Sequence, residues 1–349
     1  MGSKSLHNKI NKEELKDRME HSQENRHTLS FYRYFPIDDP ERFRDELYVR
    51  LSDINVLGRI YVAKEGINAQ ISVPDSCLDR LKEILDEIKA LKKVRLNFAI
   101  EDDGHSFYLL KIKVRNKIVA DGLNDDEIDL ADGGRHIDAQ TFNRLTDKDD
   151  TIVVDMRNHY ESEVGHFSNA ICPDVETFRE ALEKVGEMLK GEEEKDVIMY
   201  CTGGIRCEKA TAFFKTRGFK KLYQLDGGII EYAREVKRQG LPNKFVGKNF
   251  VFDERLGERI SEEIIARCHQ CGTPCDHHVN CANDACHLLF IQCPSCAESF
   301  QNCCSTKCAS FNLLPEEERK NLKKVSTFNG TKFGKGRYKA HRHGSLDLS

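Results

Sequence analysis

The 349-residue sequence lacks the features that mark several large classes of protein. Its N-terminus has no apolar core of the kind that signal peptides carry, and no segment approaches the roughly 18 consecutive apolar residues of a membrane span. We find no internal repeat and no G-x-G-x-x-G fingerprint, so no motif for a flavin or nicotinamide cofactor is seen. These absences predict a cytoplasmic protein with no membrane partner.

A strong excess of one charge is also missing, since 54 Lys and Arg residues are balanced by 58 Asp and Glu residues, for a net charge of −4. This balance does not by itself indicate a nucleic-acid partner. With 39% hydrophobic and 32% charged residues the composition is that of an ordinary soluble protein, and the length predicts two or three domains. The charge is unevenly spread, however, because the segment from Arg319 to His343 contains nine Lys and Arg residues and no acidic residue.

The most informative segment is the loop Cys201-Thr-Gly-Gly-Ile-Arg-Cys207, which stands between an apolar run that predicts a strand and a run that predicts a helix. The two glycines allow the loop to curl so that backbone N–H groups point inward, and the positive end of the following helix adds to them. Such surroundings, with the charge of Arg206, lower the pKa of a cysteine from roughly 8.5 toward neutrality, which makes Cys201 a candidate nucleophile. The other residues of this candidate site are Thr202, Gly203, Gly204, Ile205, Arg206 and Cys207.

Motifs around this loop resemble those of rhodanese-like domains, in which the first cysteine of the loop carries sulfur as a persulfide. Upstream lie Asp155-Met-Arg157, Glu161 and Gly165-His-Phe-Ser-Asn-Ala170, and downstream lies Leu225-Asp-Gly-Gly-Ile229. Cys207 departs from the Ser or Thr that often follows the arginine, which leaves open a second thiol in the site.

Over a longer stretch, from His27 to Phe311, the sequence is similar to one rhodanese-like family, the tRNA uridine hydroxylases that form 5-hydroxyuridine at the wobble position. The segments that carry this resemblance are Glu65-Gly-Ile-Asn-Ala-Gln70, Met199-Tyr-Cys-Thr-Gly-Gly-Ile-Arg-Cys-Glu-Lys209, Gly247-Lys-Asn-Phe-Val-Phe-Asp-Glu-Arg255 and the cysteine-rich block from Cys268. The resemblance implies an oxidoreductase that binds tRNA, uses molecular oxygen as co-substrate and depends on Cys201.

Two chemical routes remain open for Cys201. Its thiolate could add to carbon 6 of uracil, which raises the electron density at carbon 5 so that carbon 5 attacks an oxidant. Alternatively, a persulfide on Cys201 could be the reactive species.

Two other functions would use the same fold. A plain sulfurtransferase carrying that persulfide would use the same loop, and a non-catalytic RNA-binding module would use the fold only as a scaffold. His136-Ile-Asp138 together with a later His could also form an iron facial triad.

The order of predicted elements divides this α/β chain into parts. Strands and helices in the order β-α-β-β-α-β, with helices over Pro40 to Leu51 and Cys77 to Leu91, predict a ferredoxin-like domain. Alternating strands and helices after it predict a parallel sheet. The predicted parts are a flexible leader (1–26), a ferredoxin-like, acylphosphatase-like α+β domain (27–120), a linker (121–136), a rhodanese-like α/β catalytic domain (137–242), a cysteine-rich module (243–311) and a basic disordered tail (312–349).

Ten of the 14 cysteines fall within the 41 positions from Cys268 to Cys308. In a long chain without a secretion signal, two C-x-x-C pairs separated by 21 residues predict metal ligands rather than disulfides. We expect structural zinc, with an iron–sulfur cluster or redox-active thiols as alternatives. His277 and His278 could enter either site. The predicted ligands are Cys268, Cys271, Cys293 and Cys296, with a possible second site from Cys281, Cys286, Cys303, Cys304 and Cys308.

Two segments are candidates for binding RNA. In Lys111-Ile-Lys113-Val-Arg115-Asn-Lys117 the basic residues alternate with others, so a single strand would place four cations on one face. Lys64 and Asn68 on the neighbouring hairpin would add a phosphate contact and an amide. A solvated strand edge is the competing interpretation. The second candidate is the tail from Arg319, in which cations alternate with aromatic residues; a solvated disordered tail is its alternative.

Overall fold

The computed structural model describes residues 24–124 and 127–322, and with them Asn11, Glu14, Leu15, Asp17, Met19, His21, Ser22, Phe328, Gly330 and Tyr338. Most of the predicted leader and most of the predicted basic tail therefore lie outside the described residues. Within the described part of the chain, no helix combines the length and the apolar character needed to cross a membrane.

The first domain has the predicted ferredoxin-like order of elements. Asp39 starts the first helix, because its side chain accepts a hydrogen bond from the Arg42 N–H (3.0 Å) and Pro40 occupies the first turn. The second helix is shorter than predicted, since Ile88 takes an extended conformation that ends it. The elements are β1 (Arg26–Tyr34), α1 (Pro40–Ser52), β2 (Leu57–Ala63), β3 (Gly66–Pro74), α2 (Leu78–Glu87), β4 (Asn97–Phe98) and β5 (Leu110–Val114).

These strands form one five-stranded sheet in the order β4-β1-β3-β2-β5, in which only the β2–β5 pair is parallel. Alternate residues of each strand, such as Phe31, Ile60 and Ile71, are buried beneath α1 and α2. The helices therefore cover one face of the sheet. The polar residues of the same strands lie on the other face, which meets the second domain at its β1 and β4 end and is exposed at Arg59 and Lys111.

The second domain contains the predicted parallel sheet, with the strand order β6-β10-β9-β7. Helices pack on both sides, so the strands carry apolar residues on both faces. The first strand begins at Arg135, inside the segment that the sequence suggested as a linker. The elements are β6 (Arg135–Ile137), α3 (Ala139–Thr146), β7 (Ile152–Asp155), α4 (His159–Ser162), β8 (Gly165–Phe167), α5 (Phe178–Met188), β9 (Asp196–Tyr200), α6 (Ile205–Thr216), β10 (Lys221–Leu225) and α7 (Gly228–Gln239).

The cysteine-rich part begins by completing a sheet of the second domain. Strand β11 (Phe245–Asn249) pairs antiparallel with β8 and with β12 (Glu258–Arg259). Beyond it come the hairpin β13 (His278–Asn280) and β14 (Leu289–Ile291), followed by α8 (Pro294–Ser299), α9 (Thr306–Asn312) and α10 (Glu316–Leu322). The described tail residues pack back on this module: Phe328 lies against Phe311, and Tyr338 stacks on Phe290. At these positions the tail differs from the predicted disordered extension.

A buried lysine joins the first domain, the intervening segment and the second domain. Lys209 on α6 is 2% exposed. Its Nζ lies 2.7 Å from a carboxylate oxygen of Glu65 and forms a closer ion pair with the fully buried carboxylate of Asp121. Because removing one member of such a group would leave a buried charge uncompensated, Lys209 fixes the two domains against each other at the start of α6.

Candidate functional site

The loop after β9 is shaped by glycines at two positions, one inside the loop and one in the downstream Gly-Gly motif. Gly204 takes φ = 102° as the residue before α6, a conformation that other residues adopt at a cost. Gly228 lies beneath the loop, where an added Cβ would come within 2.5 Å of the Cys201 carbonyl oxygen. Next to it, the Ile229 N–H donates a 3.1 Å hydrogen bond to that same oxygen. The downstream Gly-Gly motif thus packs against the backbone of the loop at Cys201.

Cys201 lies at the centre of this loop and is fully buried. The Gly204 N–H donates a hydrogen bond to its Sγ at 3.2 Å. Burial raises the pKa of Cys201, but a hydrogen bond from the Cys207 thiol, the charge of Arg206 and the N–H groups of Arg206 and Gly204 outweigh it and lower the pKa to about 6. A pKa in this range favours the thiolate over the thiol at pH 7.

Cys207 is the second thiol of the site, and its pKa is shifted in the opposite direction to that of Cys201. Burial, followed by its hydrogen bond to Cys201 and the charge there, raises the pKa of Cys207 well above its ordinary value. The two cysteines therefore form an unequal pair, in which the Cys207 thiol donates a hydrogen bond to the Cys201 thiolate. The sequence alone leaves the role of Cys207 open, and its raised pKa fits a donor to Cys201 rather than a second nucleophile.

Arg206 faces both Cys201 and a buried carboxylate. Its two terminal nitrogens lie 2.7 and 2.8 Å from the two oxygens of Glu161, which is fully buried. The Thr202 hydroxyl donates to the same carboxylate at 3.4 Å. In the sequence Glu161 is only one residue of the upstream motif, whereas in the structure it is the partner that orients Arg206. The nearby Asp155 and Arg157 form a separate buried pair (2.6 Å) that also binds the Gly165 carbonyl.

Side chains of the first domain pack against the loop at Gly203 and Gly204. Tyr32 donates a 2.9 Å hydrogen bond to Glu208, and an added Cβ at Gly204 would lie 2.9 Å from its hydroxyl oxygen. An added Cβ at Gly203 would meet the Asn97 amide nitrogen at 3.5 Å. These residues gave no local signal in the sequence, because they precede the loop by more than a hundred positions. Because Cys201 is fully buried, a substrate can reach its sulfur only after a local rearrangement.

His136 and Asp138 serve different parts of the structure. The Asp138 carboxylate accepts a 2.8 Å hydrogen bond from the Thr141 N–H and so starts α3. The ring of His136 lies 3.2 Å from Asp226 and 3.5 Å from Glu208, and hydrogen bonds to these carboxylates raise its pKa to about 9. A protonated imidazole has no free lone pair for iron, so the structure gives no support to the facial-triad hypothesis.

The cysteine-rich module brings eight of its thiols into two groups of four, each with all sulfur atoms within 4.8 Å of one another. The first group is the predicted set Cys268, Cys271, Cys293 and Cys296. The second is Cys281, Cys286, Cys304 and Cys308. Cys303, also a candidate for the second site, is left out: its sulfur lies 3.5 Å from the Asn312 amide nitrogen. His277 and His278 belong to neither group.

The spacing within each group fits a single tetrahedral ion. Measured sulfur–sulfur distances are 3.6 Å for Cys271–Cys293 and 3.7 Å for both Cys286–Cys304 and Cys304–Cys308. A disulfide would require about 2.05 Å, whereas a tetrahedron with zinc–sulfur bonds of about 2.3 Å has edges of about 3.8 Å. A cluster of several irons would hold its cysteines farther apart. Each group can therefore hold one metal ion, and zinc fits the four-sulfur set.

The four cations predicted to lie on one strand are only partly on it. Lys111 and Lys113 lie on β5, but that strand ends at Val114, so Arg115 and Lys117 follow it. Lys117 forms a 3.1 Å ion pair with Asp121. Lys64 is exposed at the β2–β3 turn, and the Asn68 amide donates to the Ile118 carbonyl at 3.4 Å.

Three protein-family models match successive parts of the chain. The UPF0176 acylphosphatase like domain matches residues 26–118, the Rhodanese-like domain matches 138–235, and the model described as Rhodanase C-terminal matches 246–309. Among solved structures, a rhodanese-related protein from Thermoplasma volcanium is 23% identical and covers 32% of this chain and 97% of that chain, with a TM-score of 0.25.

Curated relatives match nearly the whole chain. A tRNA uridine(34) hydroxylase from Pectobacterium carotovorum is 56% identical over 319 residues, which is 91% of this chain and 90% of that protein. Those from Enterobacter sp. (strain 638) and Yersinia pestis are both 55% identical, the first over 95% of each chain and the second over 97% of this chain and 96% of the relative. At this identity and coverage, the chain belongs to the tRNA uridine(34) hydroxylase family.

Proposed function

We propose that this protein hydroxylates the wobble uridine of tRNA at carbon 5, with Cys201 as the nucleophile and molecular oxygen as the oxidant. The observation that carries the assignment of Cys201 is the position of its sulfur, which is fully buried in the loop and accepts a 3.2 Å hydrogen bond from the Gly204 N–H. The family relationship supports the substrate and the reaction, because the relatives at 55–56% identity are named tRNA uridine(34) hydroxylases.

The chemistry begins with addition of the Cys201 thiolate to carbon 6 of uracil. The bond that forms there pushes an electron pair toward carbon 5, which then attacks oxygen. One atom of molecular oxygen becomes the hydroxyl on carbon 5, and the other leaves as water. This step consumes two electrons and two protons, and we assign their supply to an external thiol reductant. Loss of the carbon 5 proton then expels Cys201 and restores the ring.

The pair Arg206–Glu161 fits a positioning role in this scheme. Because both oxygens of Glu161 bind the guanidinium, Arg206 is held beside Cys201 in one orientation. Its charge opposes protonation of the sulfur, and its backbone N–H adds a hydrogen bond. A Cys201 persulfide, the other route, would need the same anion-binding loop, and its terminal sulfur would replace the thiolate as the attacking atom.

We further propose that both cysteine groups hold structural zinc. The sulfur–sulfur distances fit the tetrahedron that zinc prefers, and backbone N–H groups support the thiolates. The Cys293 N–H donates to Cys268 at 3.3 Å, and the Cys304 N–H donates to Cys281 at 3.4 Å. Zinc would supply folding free energy here and no step of the reaction, because each group already offers four protein ligands and no open position.

Replacing the nucleophile tests the proposal most simply. We expect Cys201→Ala to lower 5-hydroxyuridine formation by at least about 10³-fold, because the other thiol of the loop, Cys207, has a raised pKa and stays protonated. Mass spectrometry of nucleosides from tRNA incubated with the purified variant measures this. Cys172→Ala is the matched control, since Cys172 lies in the same domain, and it should keep full activity. Undiminished product from Cys201→Ala would overturn the assignment.

The pH dependence of the reaction tests the unequal thiol pair. Because the pKa of Cys201 is lowered to about 6, the single-turnover rate should rise with pH through this value and level off above it. Cys207→Ala removes a donor to the thiolate, so the midpoint should move to higher pH. Cys207→Ser keeps a donor and should shift it less. An unchanged midpoint in Cys207→Ala would contradict the hydrogen bond, and complete inactivity of both variants would instead give Cys207 a direct chemical role.

Elemental analysis tests the metal sites. We expect two zinc ions per chain, one of them lost in Cys268→Ser and the other in Cys281→Ser. Cys303→Ser is the control and should retain two, because its sulfur lies outside both groups. Strong chelation should make residues 265–310 sensitive to protease before the second domain melts. Metal-free protein with a protease-resistant module would exclude these sites.

A further inference from the structure

The sheet of the first domain has an open face that runs from an outer strand to the catalytic loop. Strand register fixes which side chains share this face. The residues opposite one another across neighbouring strands form two rows. One row is Lys111, Arg59, Gln70, Ser30 and Asn97; the other is Lys113, Tyr61, Asn68 and Tyr32. We call these nine residues the open sheet face.

The outer end of this face is strongly basic. Arg59 and Lys111 are exposed, and Lys113 and Arg115 lie beside them. Burial, and then the charges of Lys111, Arg115 and Arg59, lower the pKa of Lys113. In the described part of the chain, no carboxylate lies within ion-pair distance of these four cations. Like charges on neighbouring strands repel each other, so a polyanion bound here would relieve a repulsion that the folded protein carries.

The middle of the face offers groups that suit unpaired bases. The guanidinium of Arg115 lies 5.7 Å from the centre of the Tyr61 ring, so an aromatic plane stands next to the basic edge. Beside it, the Gln70 amide donates a 2.7 Å hydrogen bond to the Asn68 side chain, which leaves the Gln70 oxygen available. Single-stranded RNA is bound by stacking of bases on aromatic side chains of a sheet, by amides at base edges and by cations at phosphates.

The inner end of the face meets the catalytic loop. Ser30 and Asn97 lie against Gly203, and Tyr32 lies against Gly204. Asn97 is 2% exposed, and its side-chain oxygen has no hydrogen-bond partner among the described residues. Because an unsatisfied buried acceptor is costly, a ligand N–H at this position would be favoured. The imide N–H of uracil is such a donor.

We propose that the open sheet face binds the single-stranded anticodon loop of tRNA. The phosphates lie along Arg59, Lys111 and Lys113, a neighbouring base stacks on Tyr61, and the target uridine reaches Cys201 past Tyr32 with its imide N–H directed to Asn97. This inference rests on the proposed function for the identity of the RNA. It assigns the recognition of single-stranded RNA to the first domain.

Binding of an anticodon stem-loop RNA, followed by fluorescence anisotropy in Cys201→Ala protein, tests the proposal without any chemistry. The triple variant Arg59→Ala, Lys111→Ala, Lys113→Ala should raise the Kd about tenfold or more. It should also reduce the slope of log affinity against log salt by about 2, because each phosphate contact with a single strand contributes about 0.7. The control triple Lys82→Ala, Lys89→Ala, Lys92→Ala removes the same charge from the helical side of the domain and should change neither quantity.

Two further measurements separate stacking from general charge attraction. Tyr61→Leu should weaken binding several-fold, whereas Tyr61→Phe keeps the ring and should bind like the parent. Double-stranded RNA of equal length should compete at least about tenfold more weakly than the stem-loop. Three results would each overturn the proposal. The first is an equal loss of RNA affinity in both triple variants, the second is an unchanged Kd and salt slope in the first triple variant, and the third is competition by the duplex as strong as that by the stem-loop. These binding measurements do not depend on whether Cys201 is the nucleophile, so failure of one proposal can be distinguished from failure of the other.

Discussion

A buried thiolate is the constraint around which the site is built. Removing a charged sulfur from water costs free energy unless donors replace the lost solvent. At Cys201 those donors are the N–H groups of Gly204 and Arg206 and the thiol of Cys207, with the guanidinium of Arg206 nearby. The glycine at 204 is needed because the loop must turn with φ = 102° to point its N–H at the sulfur. The conformation of the loop, the position at which α6 begins and the charge on the sulfur therefore depend on one another.

The first turn of α6 extends this constraint to the rest of the molecule. Four successive residues there have five partners: Arg206 binds Glu161, Cys207 binds Cys201, Glu208 binds Tyr32, and Lys209 binds Glu65 and Asp121. Eight of the 12 residues of this helix are buried, so it is enclosed rather than lying at the surface. Because the same turn supports the thiolate and holds the first domain, docking of that domain and protection of the sulfur are coupled.

The sequence predicts best those features whose residues lie close together in the chain. The catalytic loop and the two C-x-x-C pairs are local patterns, so the fold class and the first cysteine group could be inferred from spacing and family resemblance. Adjacent Cys303 and Cys304 could not be told apart, because the choice depends on a turn in which Gln301 and Asn302 both take positive φ. The cover formed by Tyr32 and Asn97 depends on domain docking, for which the chain carries no local signal.

The role of the Cys201 thiolate is tested most directly by trapping it on its substrate. In an anticodon stem-loop RNA with 5-fluorouridine at the wobble position, fluorine replaces the hydrogen whose loss as a proton expels the sulfur, so the adduct should persist. We predict a covalent protein–RNA species that peptide mass spectrometry maps to Cys201 and that Cys201→Ala does not form. An enzyme that converts the ordinary stem-loop fully yet never becomes attached to the fluorinated one through Cys201 would contradict this account.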